Sequence, residues 1–125
     1  MRMNSNTVDL HIPGGESMRL VARLATVGYI ASAGLTLDEA EDMKIAVAEA
    51  LGAVGGERLH VQLSTVDGAV EIAVVGDGKG APREEVESEI ARYVLCSLAD
   101  EVEIEENGAG QIGSIRMKKR LSGGA

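Results

Sequence analysis

DEAEDMKIAVAEAL, residues 38–51, has the pattern of a long amphipathic helix. Thr36 and Glu39 stand three residues apart at its start and match a capping box, which predicts the first turn. The pair Gly55-Gly56 predicts its end. Four apolar positions recur at helical spacing and form the predicted core stripe: Met43, Val47, Ala50 and Val54.

Glu49 is the candidate catalytic group on this helix, because it is a lone carboxylate in small and apolar surroundings. Ala53 follows one turn later on the same face. A carboxylate at such a position is suited to work as a general base. The alternative is a carboxylate that caps the helix or forms a surface salt bridge. The lack of a second polar ligand nearby favours this alternative.

The chain around this helix alternates between strand and helix patterns. Residues 7–12 predict a strand, and residues 16–33 predict a helix in which four apolar residues lie at helical spacing: Leu20, Leu24, Val27 and Ala31. Residues 58–65 predict a second strand. Asp67-Gly68 then predicts a hairpin turn into a third strand, whose inward side chains are Val70, Ile72 and Val74.

The carboxyl-terminal third predicts one more helix and a second hairpin. The helix spans roughly residues 83–98 and carries an apolar residue at every fourth position: Val86, Ile90, Val94 and Leu98. Asn107-Gly108 begins the turn of the hairpin. The core-facing side chains of its two strands are Val102, Ile104, Ile115 and Met117.

The predicted order of elements is β-α-α-β-β-α-β-β. It indicates an α/β (α+β) two-layer sandwich with a mixed, mainly antiparallel sheet and one helical layer. Residues 1–125 are expected to form a single domain, in which residues 122–125 are a loose tail.

The composition narrows the classes of partner. A net charge of −8, from 20 acidic and 12 basic residues, argues against direct binding of nucleic acid or of an anionic membrane, and favours a basic protein partner. No apolar run is long enough to span a membrane, and the amino terminus lacks the apolar region of a secretory signal. We therefore expect a cytoplasmic protein.

Cys96 is the single cysteine, which excludes an internal disulfide and fits a reducing compartment. We expect its side chain to pack in the interior rather than to react. His11 and His60 occupy outward strand positions and have no cysteine or carboxylate at metal-ligand spacing, so they are interpreted as surface residues and no metal site is predicted.

A glycine-rich loop, Gly76-Asp77-Gly78-Lys79-Gly80, follows a predicted strand and precedes a predicted helix. This is the setting of a phosphate cradle. The loop matches neither the Walker motif nor the dinucleotide fingerprint. The alternative is an ordinary tight turn, which is the more frequent meaning of so short a motif.

Four stretches together resemble the bacterial anti-sigma factors that also act as serine-protein kinases, within the histidine kinase-like ATPase superfamily. They are LHIP (10–13), VARL (21–24), EDMKIAVAEA (41–50) and LADEVEI (98–104). They cover most of the chain in the order of the family, and the third stretch is the most specific. The resemblance implies the fold of that superfamily.

The resemblance also assigns positions in an ATP site. It places the family's catalytic base at Glu49 and its magnesium-binding asparagine at Ala53, whose methyl group cannot coordinate the cation. The aspartate that binds adenine falls on Gly76, with an acid displaced to Asp77. The two glycines of that family motif are kept as Gly78 and Gly80.

The lid of the family's ATP site is also reduced. Only Ala81–Ser88 separate the loop from Glu89-Ile90-Ala91, the positions at which the family has its phosphate-facing glycines. These losses all concern the nucleotide, and together they should remove useful ATP affinity and phosphotransfer. No cofactor is therefore expected, and ATP with Mg²⁺ would be one only if the degraded site still binds them.

The leading hypothesis is a non-catalytic regulator, homodimeric like the family, that binds a sigma factor or an anti-sigma antagonist. The resemblance offers Arg23 as the partner-contacting residue, and the alternative is a solvated helix residue. One competing hypothesis is an active ATP-dependent serine-protein kinase with Glu49 as its base. Another is a non-catalytic subunit that pairs with an active paralogue.

Overall fold

A computed structural model describes residues 7–79, 85–108 and 110–122, and of residues 85–88 the backbone alone. Within these ranges the elements follow the predicted order β-α-α-β-β-α-β-β. The strands are β1 (Val8–Pro13), β2 (Arg58–Val66), β3 (Ala69–Gly76), β4 (Glu101–Glu106) and β5 (Ile112–Arg120). The helices are α1 (Glu16–Ser32), α2 (Leu37–Ala53) and α3 (Glu85–Leu98).

The described strands form one sheet in the order β1-β2-β3-β5-β4, and each of its four pairings is antiparallel. The predicted α+β class with a mainly antiparallel sheet is confirmed. The first hairpin is also confirmed. Asp67 and Gly68 have φ values of 53° and 75°, as a two-residue turn with left-handed central residues requires.

The core lies between α2 and the sheet. All four residues of the predicted α2 stripe are fully buried: Met43, Val47, Ala50 and Val54. They belong to the same apolar cluster as the inward side chains of β2 and β3. The predicted capping box is present, because Thr36 Oγ1 accepts from the Glu39 amide at 3.2 Å and Glu39 Oε1 accepts from the Thr36 amide at 2.8 Å.

Helix α1 buries a different face from the apolar stripe that predicted it. Leu20 and Leu24 are 53% and 63% exposed, whereas Ala22, Thr26 and Ile30 are buried. Thr26 is tolerated there because its hydroxyl donates to the Ala22 carbonyl at 2.8 Å. The inward face of α1 thus combines Ala22 and Thr26 with the larger Ile30, and Leu20 and Leu24 are left outside.

The buried face of α3 also differs from the predicted stripe. Ala91 and Leu95 are buried, while Ile90 is 54% exposed. The prediction that Cys96 packs in the interior was wrong, because its side chain is exposed. Cys96 directly follows the buried Leu95, and one residue of helix turns the side chain about 100° away from the buried stripe.

The second hairpin closes the sheet at its other edge. Ile115 and Met117 are fully buried, as predicted. On the outer face, Glu101 forms ion pairs with Arg120 at 2.6 Å and with Lys118 at 4.0 Å. In the described ranges no helix has the length and hydropathy that a membrane span requires.

Candidate functional site

The predicted nucleotide residues lie where α2 ends and where β3 leaves the sheet. Glu49 is half-buried in the last turns of α2, and Ala53 is the final residue of that helix, 3% exposed. The two lie four residues apart, so they share one helix face. Gly76 is the last residue of β3, and Asp77 and Gly78 follow it in the loop.

Glu49 is the one acidic side chain of this group that is free of described contacts. Within residues 7–79, 89–108 and 110–122 its carboxylate makes no hydrogen bond and no ion pair. Lys44, a basic residue of the same helix, pairs instead with Glu41 at 3.1 Å. Among the same residues, no three His, Cys, Asp or Glu side chains are placed to hold a metal ion. Glu49 therefore belongs to no cluster of three such side chains within those ranges.

Gly76 lies against the backbone that follows α2. A β-carbon on Gly76 would stand 1.9 Å from the carbonyl oxygen of Gly55 and 3.1 Å from Val54 Cγ1. A β-carbon on Gly14 would likewise stand 2.1 Å from the carbonyl oxygen of Gly56. Three chain segments thus cross at backbone distance, which only glycine permits. We call Gly14, Gly55, Gly56 and Gly76 the glycine junction.

Asp77 contacts the backbone beside the glycine junction through one of its carboxylate oxygens. Its Oδ1 atom accepts from the amides of Glu57 and Lys79, each at 3.0 Å. The amide of Lys79, with that of Glu57, holds the pKa of the Asp77 carboxyl below its ordinary value. The displaced acid of the predicted motif is therefore engaged with its own loop.

Arg19 is the residue of this region that the sequence patterns did not single out. Its guanidinium donates to the carbonyl oxygens of Leu51 at 2.5 Å, Val54 at 2.7 Å, Gly14 at 2.5 Å and Gly56 at 3.3 Å. The last turn of α2 has no basic residue of its own. A cation from another helix therefore satisfies its terminal carbonyls. That missing cation was the signal in the sequence that could have led to Arg19.

Only part of the glycine-rich loop, and of the segment that corresponds to the family's lid, lies in the described ranges. Gly80 lies outside them. Eight residues, 77–84, connect β3 to α3, which begins at Glu85. Glu89, Ile90 and Ala91, the positions at which the family has phosphate-facing glycines, lie inside α3 rather than at its first turn.

Arg23 lies in a different place, on the outer side of α1. It lines an open groove of about 470 Å³ between the beginning of α1 and the end of α2. Side chains of Leu20, Leu51 and Ala48 share this groove with it. Arg23 is exposed, and its guanidinium makes no hydrogen bond or ion pair with any side chain or carbonyl in the described ranges. Arg19 also lines this groove, so the groove adjoins the glycine junction that the Arg19 guanidinium contacts.

His11 and His60 form a pair on the outer face of the sheet, as the predicted surface positions indicate. Their rings stack with centroids 4.2 Å apart and planes at 11°. His60 Nε2 lies 2.8 Å from Asp9 Oδ1, and this hydrogen bond lowers the pKa of the Asp9 carboxyl. The three side chains form a surface contact between β1 and β2.

Neither a family model nor a curated protein sequence matches the chain. Among solved structures, the fold is similar to the crystal structure of the RsbU and RsbW domains of Rv1364c from Mycobacterium tuberculosis. The TM-score is 0.66 at 17% sequence identity. The match covers 94% of this chain and 32% of the other, so the chain spans about a third of that protein. The likeness shows a shared fold.

Proposed function

We propose that this chain is an anti-sigma-factor-like regulatory protein that acts by protein–protein binding in a partner-switching system, without transferring phosphate. Two findings support the proposal. The residues around EDMKIAVAEA (41–50) resemble the anti-sigma factor kinases. The fold is shared with a structure that contains an RsbW domain.

The contact between Gly76 and Gly55 is the observation that supports the absence of phosphate transfer in this proposal. The family's adenine-binding aspartate corresponds to Gly76, and the Gly55 carbonyl oxygen stands 1.9 Å from where its β-carbon would lie. The position therefore has no room for the missing side chain. One lost polar contact weakens binding by about 1–3 kcal/mol. Two losses of about 2 kcal/mol each amount to roughly a thousandfold.

The part of the site that would bind magnesium also lacks a ligand. Ala53 offers only a methyl group where the family has an amide oxygen, and it is 3% exposed. Mg²⁺ requires oxygen ligands in near-octahedral geometry. Phosphoryl transfer depends on that metal and on positioning of the nucleotide. Binding of a protein needs neither, so the scaffold can serve as a docking surface without them.

The partner in this proposal is a sigma factor or an anti-sigma antagonist, and the chain acts as a cytoplasmic homodimer. A net charge of −8 favours a partner with a basic surface, since opposite charge accelerates encounter. Arg23 is the proposed contact residue. Its exposed guanidinium has no partner among the described residues and stands beside the apolar side chain of Leu20, which suits a contact that combines one charge with apolar area.

The test is capture of partners from native cytosol with the immobilised chain, followed by titration of the purified partner. We expect a sigma factor or an antagonist, bound equally well with and without Mg-ATP. Arg23→Glu should weaken binding at least about tenfold. Arg120→Glu, an equally large charge change on β5, should not. Recovery of neither class of protein would overturn the proposal.

A second candidate function is the active serine-protein kinase with Glu49 as its base. The half-buried Glu49 carboxylate, which has no described partner, favours it. It requires residues other than Ala53 and Gly76 to hold the metal and the adenine. Transfer of phosphate from ATP to a captured antagonist, lost in Glu49→Gln, would establish it. Capture of a full-length kinase would instead point to the third candidate, a subunit that pairs with an active paralogue.

A further inference from the structure

Strand β4 forms one edge of the sheet, and in the described ranges it pairs with β5 alone. A strand that pairs on one side leaves the amide and carbonyl groups of alternate residues pointing away from the sheet. The pairing with β5 is regular from Glu101 to Glu105 and shifts its register at Glu106. The stretch from Glu101 to Glu105 is therefore a straight backbone edge to which a further strand can be added.

Two apolar side chains of β4 are only half-buried because the sheet ends beside them. Val102 and Ile104 pack against the core, yet both keep part of their surface exposed. The side chains opposite them on β5, Met117 and Ile115, are fully buried. Strand β5 has a neighbour on each side, whereas β4 has one. An added strand would cover the exposed flanks of Val102 and Ile104.

Two carboxylates on the outer face of β4 are not neutralised by the neighbouring strand. Glu103 stands opposite Arg116, but that guanidinium pairs with Glu71 of β3 at 3.1 Å. Glu105 stands opposite Ser114, which carries no charge. Within the part of the chain that the structure describes, the exposed side chains of Glu103 and Glu105 make neither a hydrogen bond nor an ion pair. Both charges remain for an occupant of the edge.

These side chains determine what kind of strand complements the edge. Glu103 and Glu105 lie about 7 Å apart on one face, and Val102 and Ile104 alternate with them on the other. A strand with basic residues at alternate positions and apolar residues between them matches both faces. A second copy of β4 would instead place glutamates beside glutamates, which is unfavourable. The edge therefore discriminates against its own sequence and favours a basic strand.

We propose that β4 binds an extended, basic segment of a partner protein, which adds to the sheet as a sixth strand. Backbone hydrogen bonds supply the attachment, and the alternating side chains supply the selectivity. This surface is separate from Arg23, because α1 packs on β1 and β2 whereas α3 packs on β4 at the other edge. The proposal does not rest on the proposed function, and Arg23→Glu should leave binding at β4 unchanged.

Fluorescence anisotropy with a labelled, end-capped peptide of seven residues, in which lysine and valine alternate, tests the proposal. We expect a Kd of about 100 µM or tighter. A peptide of the same composition with its lysines grouped together should bind at least about tenfold more weakly, because it cannot match both faces. Methylation of two consecutive central amide nitrogens should weaken binding as strongly, since it blocks the backbone hydrogen bonds.

Charge reversal on β4 provides the matched variants. The double variant Glu103→Lys with Glu105→Lys should bind the lysine peptide at least about tenfold more weakly, because like charges then face each other. The same variant should gain affinity for a peptide in which glutamate replaces each lysine. Glu57→Lys is the control, since Glu57 is exposed and precedes β2, away from β4. All three glutamates are exposed, so the circular dichroism of the folded chain should be unchanged.

Amide hydrogen exchange of the unaltered protein with and without the lysine peptide locates the binding. Alternate amides of β4 should exchange more slowly when the peptide is present. Absence of peptide binding would overturn the proposal. Binding that leaves the β4 amides unprotected, or that is equally tight for the grouped and the methylated peptides, would also overturn it, because attraction to net charge would then explain the result.

The two control peptides thus separate strand addition from simple attraction between a basic peptide and an acidic protein. The expected result is loss of affinity on methylation, on grouping of the lysines and on reversal of Glu103 and Glu105. An affinity that Glu57→Lys lowers as much as the double variant does would contradict the assignment to β4.

Discussion

The carbonyl oxygen of Gly55 lies 1.9 Å from the point that a β-carbon on Gly76 would occupy. The end of β3 and the chain after α2 are thus in backbone contact, closer than any side chain allows. The contact depends on glycine at a position where the resembling family has aspartate. Under the proposed function, stability of the fold and loss of the adenine anchor have the same structural cause.

Gly76→Asp should destabilise the protein by about 2–4 kcal/mol, because the new side chain forces the two backbones apart. Urea unfolding measures the change. Gly28→Ala is the matched control, since a β-carbon at Gly28 in α1 has nothing within 4 Å. It should add about 0.5–1 kcal/mol of helix stability. An unchanged midpoint for Gly76→Asp would show that the junction opens at no cost.

Arg19→Met should cost about 2–4 kcal/mol, because up to four carbonyl oxygens lose their donor at the end of α2. Arg19→Lys should recover only part of this loss, since one ammonium cannot reach all four acceptors. Thermal unfolding gives the comparison. Arg23→Met, on the outer side of the same helix, should change stability by less than about 0.5 kcal/mol. Equal effects of the two methionine variants would contradict the role assigned to Arg19.

Glu39 should make the fold sensitive to acid. Hydrogen bonds from Ser122 and then from Thr36 lower the pKa of Glu39 from 4.5 to about 2. A lowered pKa means that the carboxylate stabilises the fold above pH 4.5 and that this contribution disappears as the pH falls toward 2. The stability difference between the unaltered protein and Glu39→Gln should therefore shrink over that interval. A difference that stays constant with pH would contradict it.

Ala53→Asn restores the side chain that the family uses for magnesium. Ala53 is 3% exposed, so the larger and polar amide would have to enter a packed interior. We expect a loss of about 1–3 kcal/mol of stability and no gain in Mg-ATP binding. Unfolding curves with and without Mg-ATP report both quantities. Micromolar binding of Mg-ATP by this variant would contradict the expectation and mean that a single magnesium ligand restores the nucleotide site.

The parts of the fold that were predicted correctly depend on local chemistry. The capping box of Thr36 and Glu39 and the turn at Asp67-Gly68 need only neighbouring residues to form, and both are present. The α2 stripe is correct, and the helix also buries Ala46, Leu51 and Ala53 beside it. The order of elements along the chain was predicted as well, whereas the order of strands within the sheet was not.

The buried faces of α1 and α3 could not be read from periodicity alone. Each helix has two sets of apolar residues, and the interior takes the set that contains Ala22 and Ile30 in α1 and Ala91 and Leu95 in α3. The exposed Leu24 and Cys96 follow from that choice. Close packing between helices decides it, and packing depends on partners far away in the sequence.

The role of the candidate site stays a prediction, and its contacts were not predicted from the sequence. Glu49, Ala53 and Gly76 do lie at the adjoining ends of α2 and β3. Arg19 was missed because its acceptors are backbone carbonyls, whose only trace in the sequence is the lack of a basic residue in the last turn of α2. The hydrogen bonds to Asp77 were missed for the same reason, because their donors are the backbone amides of Glu57 and Lys79.

Titration calorimetry of the full chain with Mg-ATP tests the central claim most directly, because the claim is that the nucleotide pocket no longer binds. We expect no saturable heat up to about 1 mM nucleotide, the weak end of specific binding. A known ATP-binding kinase of the same fold, titrated under identical conditions, establishes that the measurement detects binding. Saturable binding of Mg-ATP with a micromolar Kd would contradict the claim and favour the hypothesis of an active kinase.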